Sequence, residues 1–403
     1  MNFIFISPNF PTNYHQFVTA LKHNGVNVLG IGDCPYDLLC DELKRDLTEY
    51  YRVDSMNDYE QMVKAVAFFT FKYGRIDWLE SNNEYWLEND AKLREDFNIK
   101  TGNHSHQMEG LRYKSKMKAF YQKAGVKTAR YALVDTLANA LAFAKKVGLP
   151  IIIKPDNGMG ACGTHKIKTF KQLKEFFTHP EYFDHPLIME EFIEGHLVSF
   201  DGIANSNRDI IYASAHSYPT PIMTVLQEQT DFFFYSFPQI PTPLYEAGKA
   251  TVKAFASASR FFHMEFFILN KDKRGLGKKG DVLGLEVNMR PPGGLAPELF
   301  NYAGDINIYQ AWADMVCFDS TTQVAKNPRY CAVYCARRYN HTYKKTNGII
   351  EAKYRNNIVN TLEVDKGISD CMGDYAFIAR FDTIDQAQKF IEDVTEVKVT
   401  CIH

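Results

Sequence analysis

Four side chains near residue 280 define the chemistry to look for. Glu286, Asn288 and Arg290 alternate along residues 282–290. On an extended strand they share one face, while Leu285, Val287 and Met289 take the other. Upstream, residues 262–269 form a second apolar strand carrying one carboxylate, Glu265. A Lys- and Gly-rich turn joins the two. A regular hairpin centred between Gly275 and Leu276 sets Glu265 opposite Glu286. Carboxylates face to face repel unless a cation lies between them. Two carboxylates and an amide oxygen are hard ligands that suit Mg²⁺ used with nucleotide phosphates. The strongly apolar flanks argue for burial over a solvated polar face.

Two other segments carry weaker signals. The run Ile151-Ile152-Ile153 ends in Lys154, and a loop with Gly158, Gly160 and Gly163 follows. Glycine lets backbone amides approach an anion, and lysine supplies a point charge. The loop has no Gly-Lys-Ser/Thr and precedes a strand-like stretch, so it is neither a Walker loop nor a dinucleotide fingerprint. Alone it reads equally well as an ordinary hairpin. At residues 186–195 an apolar strand runs into Glu190, Glu191, Ile193, Glu194 and Gly195. Backbone at such a strand end can hydrogen-bond a nucleobase edge; alone, it is a strand end with solvated carboxylates.

These residues need elements to position them. The first third alternates strand and helix: strands at 2–6, 26–31 and 76–80, helices after Thr12 or Asn13, at 57–73 and at 82–97. That pattern predicts an open parallel sheet, with Asp33 and Ser81-Asn82-Asn83-Glu84 beyond its strand ends, where ligands bind or ordinary polar loops lie. Residues 105–124 read as one basic helix. A small α+β unit follows, with strands at 131–134, 151–154, 164–168 and 187–193 and helices at 136–147 and 170–178. Later helices fall near 243–260, 305–317 and 383–394. Residues 217–243 hold five prolines and little periodicity, which predicts a long loop. It carries His216 at its edge, then Tyr218, Gln227, Glu228 and the aromatics Phe232 to Tyr235. Arg337 and Arg338 end a strand, where they meet an anion or solvent.

Composition narrows the classes. The chain has 403 residues, 45% hydrophobic and 23% charged, which excludes a disordered, collagen-like or coiled-coil chain. A net charge of −2 offers no basic footprint for nucleic acid. Tyr and Phe follow core periodicity rather than a stacking platform. No apolar run approaches the ~20 residues of a membrane span, and the apolar start reads as a buried strand. Eight cysteines without a CxxC pair, and histidines without zinc spacing, predict a reduced cytoplasmic protein.

In order, the segments resemble the ATP-grasp superfamily, in its biotin-carboxylase-like branch. The order is a basic-helix lysine, a strand lysine with a glycine loop, an acidic hinge strand, a strand glutamate and Glu-x-Asn-x-Arg. The resemblance covers nearly the whole chain. It implies an α/β and α+β fold: an N-terminal open parallel domain (1–104), a linking helix (105–126), an ATP-grasp lid subdomain (127–194), a catalytic subdomain (195–328) and a C-terminal closing subdomain (329–403). It implies that ATP, with two Mg²⁺ for which Mn²⁺ can substitute, phosphorylates a carboxylate to an acylphosphate that a nucleophile attacks. By position, Lys114 resembles the first phosphate-side lysine and Lys154 the second. The Gly158, Gly160 and Gly163 loop resembles the flap over the phosphates. Glu190, Glu191 and Ile193 match the hinge that reads adenine, largely through backbone. Glu265, Glu286 and Asn288 match the magnesium ligands, and Arg290 the arginine that steadies the reacting carboxylate.

Two departures shape the reading. Many relatives carry Glu-Gly-x-Glu after the hinge, with the second Glu near the ribose; here it is Glu194-Gly195-His196-Leu197, leaving Glu194 as the candidate. Biotin carboxylase continues its arginine motif with x-Gln-x-Glu, the last residue serving as base, whereas here Pro292 and Gly294 hold those positions. The Arg-Pro-Pro-Gly-Gly ending looks more like a carboxylate–amine ligase of the amino-acid ligase type. There, amides of the Gly293-Gly294 turn hold a substrate carboxylate, where alone the run reads as a plain turn; separately, the 217–243 loop with Tyr218 and Phe233 is expected to line the acceptor pocket or to pack as a lid. The expected partners are a small carboxylate and an amine, with no nucleic acid and no membrane; a homodimer is an expectation from resemblance alone. A bicarbonate-using carboxylase and a non-catalytic ATP-binding regulator remain the alternatives.

Overall fold

The computed structural model describes residues 1–158, 163–220, 222–255 and 257–398, without the side chains of Ile222, Met223 and Gln227. Its first sheet is parallel: β1 (Asn2–Ile6), β2 (Asn27–Gly32), β3 (Glu49–Arg52) and β4 (Trp78–Glu80), in the order β3-β2-β1-β4. β1 and β2 are apolar on both faces because both are covered. Phe3, Phe5 and Val28 join one core; Ile4, Ile6, Leu29 and Ile31 join another. β3 and the Asp41–Asp46 helix before it escape sequence reading, since Glu49-Tyr50-Tyr51-Arg52 is a partly exposed edge strand without an apolar pattern.

The second sheet contains β5 (Tyr131–Val134), β6 (Ile151–Pro155), β7 (His165–Ile167) and β8 (Leu187–Glu191), antiparallel in the order β5-β8-β6-β7. Ile151, Ile153 and Met189 bury one face in a core shared with Leu173 and Phe176 of the Phe170–Phe176 helix. Lys154 and Glu190 alternate with those residues and so lie on the opposite face.

The third sheet has eight strands: β9 (Gly195–Ala204), β10 (Ile210–Tyr218), β11 (Phe232–Ser236), β12 (Arg260–Leu269), β13 (Val282–Asn288), β14 (Cys331–Arg337), β15 (Ile358–Glu363) and β16 (Tyr375–Phe381). Their order is β13-β12-β9-β10-β11-β14-β16-β15. Strands after residue 329 therefore extend the same sheet. The first sheet docks on it through aromatics: Trp312 meets Phe3 at 5.7 Å and Phe17 at 5.0 Å, and Phe17 meets Phe261 of β12 at 5.8 Å. Among the described residues no helix is long and apolar enough to cross a membrane.

Three expectations change. Residues 217–243 are not one loop: they hold the end of β10, a helix at Ile222–Glu228 and β11. The Phe-rich run pairs on both sides, with β10 and β14, as a pleated surface favours aromatics. The basic helix is two helices, Ser105–Arg112 and Lys114–Lys123, parted at Tyr113, which is extended with φ −93 and ψ 118. Asp156 caps the second helix from the end of β6. Its carboxylate accepts from the Ser115 N–H at 2.7 Å and hydroxyl at 2.6 Å, and its carbonyl accepts from the Lys114 N–H at 2.8 Å. A cap so far along the chain is invisible to a local pattern. A further helix, Ala296–Gly304, starts directly after the Pro-Gly run, where the sequence pattern signals none.

Candidate active site

β12 and β13 pair in the register of the regular hairpin, Glu265 opposite Glu286 and His263 opposite Asn288. A bulge follows between Glu265 and Phe266, with Gly284 opposite Phe266. A Cβ on Gly284 would meet Tyr121 Cε1 at 2.3 Å. The Tyr121 hydroxyl donates to the carbonyls of Glu286 at 2.9 Å and Glu265 at 3.3 Å. Glycine thus lets the Lys114–Lys123 helix seat behind the two carboxylates.

That helix presents Lys114 and Lys118 one turn apart. Lys114 Nζ lies 3.5 Å from Glu286 Oε1 and donates to the Gly158 carbonyl at 2.6 Å. Lys118 pairs with one oxygen of Glu190 at 2.5 Å, and Lys154 with the other at 2.7 Å. Burial alone would raise the Glu190 pKa, but the two ammonium groups outweigh it and hold it at about 2. Burial, with repulsion from Lys154, lowers Lys118; on Lys154, burial is outweighed by Glu190 and Glu286, and its pKa rises.

The two facing carboxylates differ. Burial raises the Glu286 pKa and Glu265 adds to this, against the pull of Lys114. Burial also disfavours charge on Glu265, but the hydrogen bond and charge of His263 prevail, lowering its pKa. On His263 itself burial opposes the charge, and Asp201 outweighs it, lifting the pKa to about 9. Glu286 is thus left calling for more positive charge, which fits a divalent cation at this donor set. Among the described residues no three His, Cys, Asp or Glu side chains gather into a metal cage. Two carboxylates and the Asn288 amide leave other positions to water and phosphate oxygens, as Mg²⁺ prefers.

Arg290 lies just past β13. Its Nε donates to Glu84 Oε2 at 2.7 Å, its Nη2 donates to the same oxygen, and its Nη1 donates to the Pro291 carbonyl at 2.8 Å. Burial opposes the Arg290 charge and Glu84 more than offsets it, so its pKa is raised. Glu84 opens the short helical turn Glu84–Trp86 that follows β4, so the first sheet's side of the molecule reaches this site. Asn13 donates to Glu298 at 2.9 Å and to the Gly294 carbonyl at 3.5 Å. Gly294 has φ +60, and nothing lies within 4 Å of where a Gly293 Cβ would stand.

Other expected residues fall as follows. Tyr218 ends β10 and stacks on Phe234 at 5.3 Å. Phe233 alternates to the other sheet face, in the core with Cys335, and so does not share a pocket with Tyr218. His216 is fully buried on Asp201, and Glu228 is exposed. Gly158 and Gly163 (φ +70) are described; Gly160, Cys162 and the Gln227 side chain lie outside the described residues. The Glu190 side chain is buried between Lys118 and Lys154. Glu191 faces the other way, bound by Arg130 at 2.6 and 2.7 Å and by Lys273 at 3.0 Å, and its N–H donates to the Arg130 carbonyl. Ile193 is buried, and Glu194 is exposed and paired with Lys271 at 2.6 Å. Arg337 and Arg338 face neither solvent nor the site. Arg337 donates to the Val394 carbonyl and Arg338 to those of Thr230 and Asp370. Lys118, Glu84 as partner of Arg290, and the His263–Asp201 pair escape sequence reading. Only Lys118 left a local signal, its spacing of four from Lys114.

Comparison with known proteins agrees with this geometry. Residues 113–221 match the phosphoribosylglycinamide synthetase ATP-grasp (A) domain. The chain is 30% identical to alanine–anticapsin ligase of Bacillus subtilis over 148 residues, 34% of this chain and 30% of that protein. The match therefore spans about a third of that relative's length. It is 22% identical to an L-arginine-specific L-amino acid ligase of Bacillus subtilis over 268 residues, 65% of this chain and 62% of that protein. The crystal structure of L-amino acid ligase from Bacillus licheniformis superposes with a TM-score of 0.69 at 16% identity, covering 98% of each chain. The likeness to an ATP-grasp domain thus covers residues 113–221, within a fold shared over 98% of the chain with that solved ligase.

Proposed function

We propose that the chain is an ATP-dependent, ADP-forming carboxylate–amine ligase. A small carboxylate, an amino acid, is phosphorylated to an acylphosphate; an amine then attacks to give an amide or dipeptide. The carrying observation is that Lys114 lies 3.5 Å from Glu286 of the facing Glu265–Glu286 pair, while Lys118 of the same helix and Lys154 both bind Glu190 of the second sheet. The relatives' names, ligases of amino acids, support the same class.

Phosphoryl transfer asks mainly for positioning and charge neutralisation. Lys114 and Lys154 hold the phosphate oxygens, under a flap built on Gly158, Gly160 and Gly163. Glu190, Glu191 and Ile193 border the base, and Glu194 is the ribose candidate. Glu265, Glu286 and Asn288 hold two Mg²⁺, replaceable by Mn²⁺, which when bound neutralise phosphate charge. Arg290 steadies the reacting carboxylate and its phosphorylated form, beside the Gly293-Gly294 turn and Tyr218. A carboxylate is a poor electrophile because its charge is delocalised. Once phosphorylated, it accepts the amine lone pair; the C–N bond forms, the C–O bond to phosphate breaks, and phosphate leaves with that electron pair. Gly294 has no side chain to act as a base on bicarbonate, which disfavours a carboxylase. The domain division at 104, 126, 194 and 328 and a homodimer belong to the same reading. So does a reducing cytoplasm, which suits eight cysteines without a CxxC pair.

Isotope transfer tests this. With an amino-acid substrate labelled with ¹⁸O in its carboxylate, one labelled oxygen should appear in the released phosphate. Unlabelled phosphate in a productive reaction would exclude the acylphosphate.

A further inference from the structure

The helices Ser105–Arg112 and Lys114–Lys123, parted at Tyr113, border a cavity of about 360 Å³. Lys116, Ala119 and Phe120 of the second helix line it. Lys114, Lys118 and Tyr121 of the same helix instead meet Glu286, Glu190 and the backbone of the β12–β13 hairpin. At 3.6 residues per turn the two sets fall on opposite sides of the helix. The cavity is therefore separate from the active site. Its floor is aromatic because Gly110 has no side chain: a Cβ there would meet Phe120 Cε2 at 2.6 Å. The Phe120 ring lies directly on the first helix and stacks on Phe255 at 4.5 Å, with the rings 24° from parallel. Phe255 is fully buried, whereas Phe120 is only half-buried and lines the cavity. At the rim, Glu109 and Lys116 lie 3.9 Å apart, both exposed.

A pocket of this size takes a small molecule. A half-open ring favours a second ring stacked on it with an offset. The rim adds one negative and one positive group side by side. A molecule complementary to all three carries a ring, an ammonium and a carboxylate within a few bonds of each other. We propose that this cavity binds a free aromatic amino acid: its ring stacks on Phe120, its ammonium meets Glu109 and its carboxylate meets Lys116. A residue within a peptide lacks at least one of those charges, so the free amino acid is the class that fits. None of these side chains belongs to the lysine–carboxylate cluster, and the proposal does not depend on the ligase reading.

The measurement is calorimetric titration of the full chain with L-tryptophan. Indole and L-alanine serve as probes that keep only the ring or only the charges. Arg290→Ala removes the arginine we place on the reacting carboxylate, and so separates this cavity from the active site. The expected result is saturable tryptophan binding that survives in Arg290→Ala, with indole about fivefold or more weaker and alanine giving no saturable heat there. Ala119 is exposed, so Ala119→Phe fills the cavity mouth without entering the core; it should weaken tryptophan binding by about tenfold or more. Lys116→Glu should weaken it by about fivefold, the worth of an exposed ion pair. No saturable binding up to the solubility of tryptophan would overturn the proposal. So would binding that is lost in Arg290→Ala and kept in Ala119→Phe, which assigns the ligand to the active site. Indole binding as tightly as tryptophan would overturn the amino-acid class. Should Arg290→Ala not fold, Ala119→Phe decides alone: tryptophan affinity lost at an unchanged melting temperature supports the proposal, and affinity retained contradicts it.

Discussion

The buried lysine–carboxylate cluster makes individual side chains testable. Glu190 is held at about 2 against an ordinary value of 4.5. Its ionised form therefore stabilises the folded state at pH above 4.5, and that contribution fades as pH falls towards 2. The melting temperature of Glu190→Gln should lie below that of the unmodified protein at neutral pH, with the gap closing between pH 4.5 and about 2. A gap that stays constant over this range would contradict the pairing. Lys118 is the cation the sequence pattern hid. Lys118→Met should weaken ADP binding by about tenfold, roughly 1.4 kcal/mol, in calorimetric titration. Unchanged affinity with only a lower melting temperature would make Lys118 a support for Glu190 alone.

Elements place these residues through a few close approaches. The Lys114–Lys123 helix can lie behind β13 only because Gly284 leaves room for Tyr121. Gly284→Ala forces a methyl group into that ring and should cost about 1–3 kcal/mol in urea unfolding. A stability change near zero would mean the helix has slack there. The hairpin that brings Glu265 to Glu286 was legible in the sequence, because alternation of Glu286, Asn288 and Arg290 and the apolar flanks define a strand face, and turn symmetry defines the register. The strand-and-helix alternation of the first sheet was legible for the same reason. What was not legible depends on partners distant in the chain. Asp156 ends the basic helix at Tyr113 from a strand end, Glu84 pairs with Arg290 from another sheet, and Asp201 binds His263 across two strands. The 217–243 segment misled because its prolines mask an aromatic strand whose longer pairing is with β14, far along the chain.

At the scale of the molecule, the first sheet is part of the site and not an appendage. Arg260 of β12 reaches Glu80 of β4 at 2.5 Å, and Arg94 meets the same carboxylate at 3.0 Å, all buried. Removing the shared carboxylate leaves two buried arginines without it, so Glu80→Gln should cost about 3–5 kcal/mol in chemical denaturation. A cost under about 1 kcal/mol, the worth of a surface pair, would show that water enters this junction. This junction and the Glu84–Arg290 pair tie the first sheet to the carboxylate-bearing hairpin. The most direct test of the ligase reading is Mg²⁺-dependent release of ADP and phosphate, screened over single amino acids, pairs of amino acids and other small carboxylates, with Glu286→Ala beside the unmodified protein. Release that requires both an acid and an amine, and is lost in Glu286→Ala, is the predicted result. Release that persists in Glu286→Ala, or ATP binding with no release on any pair, would contradict it.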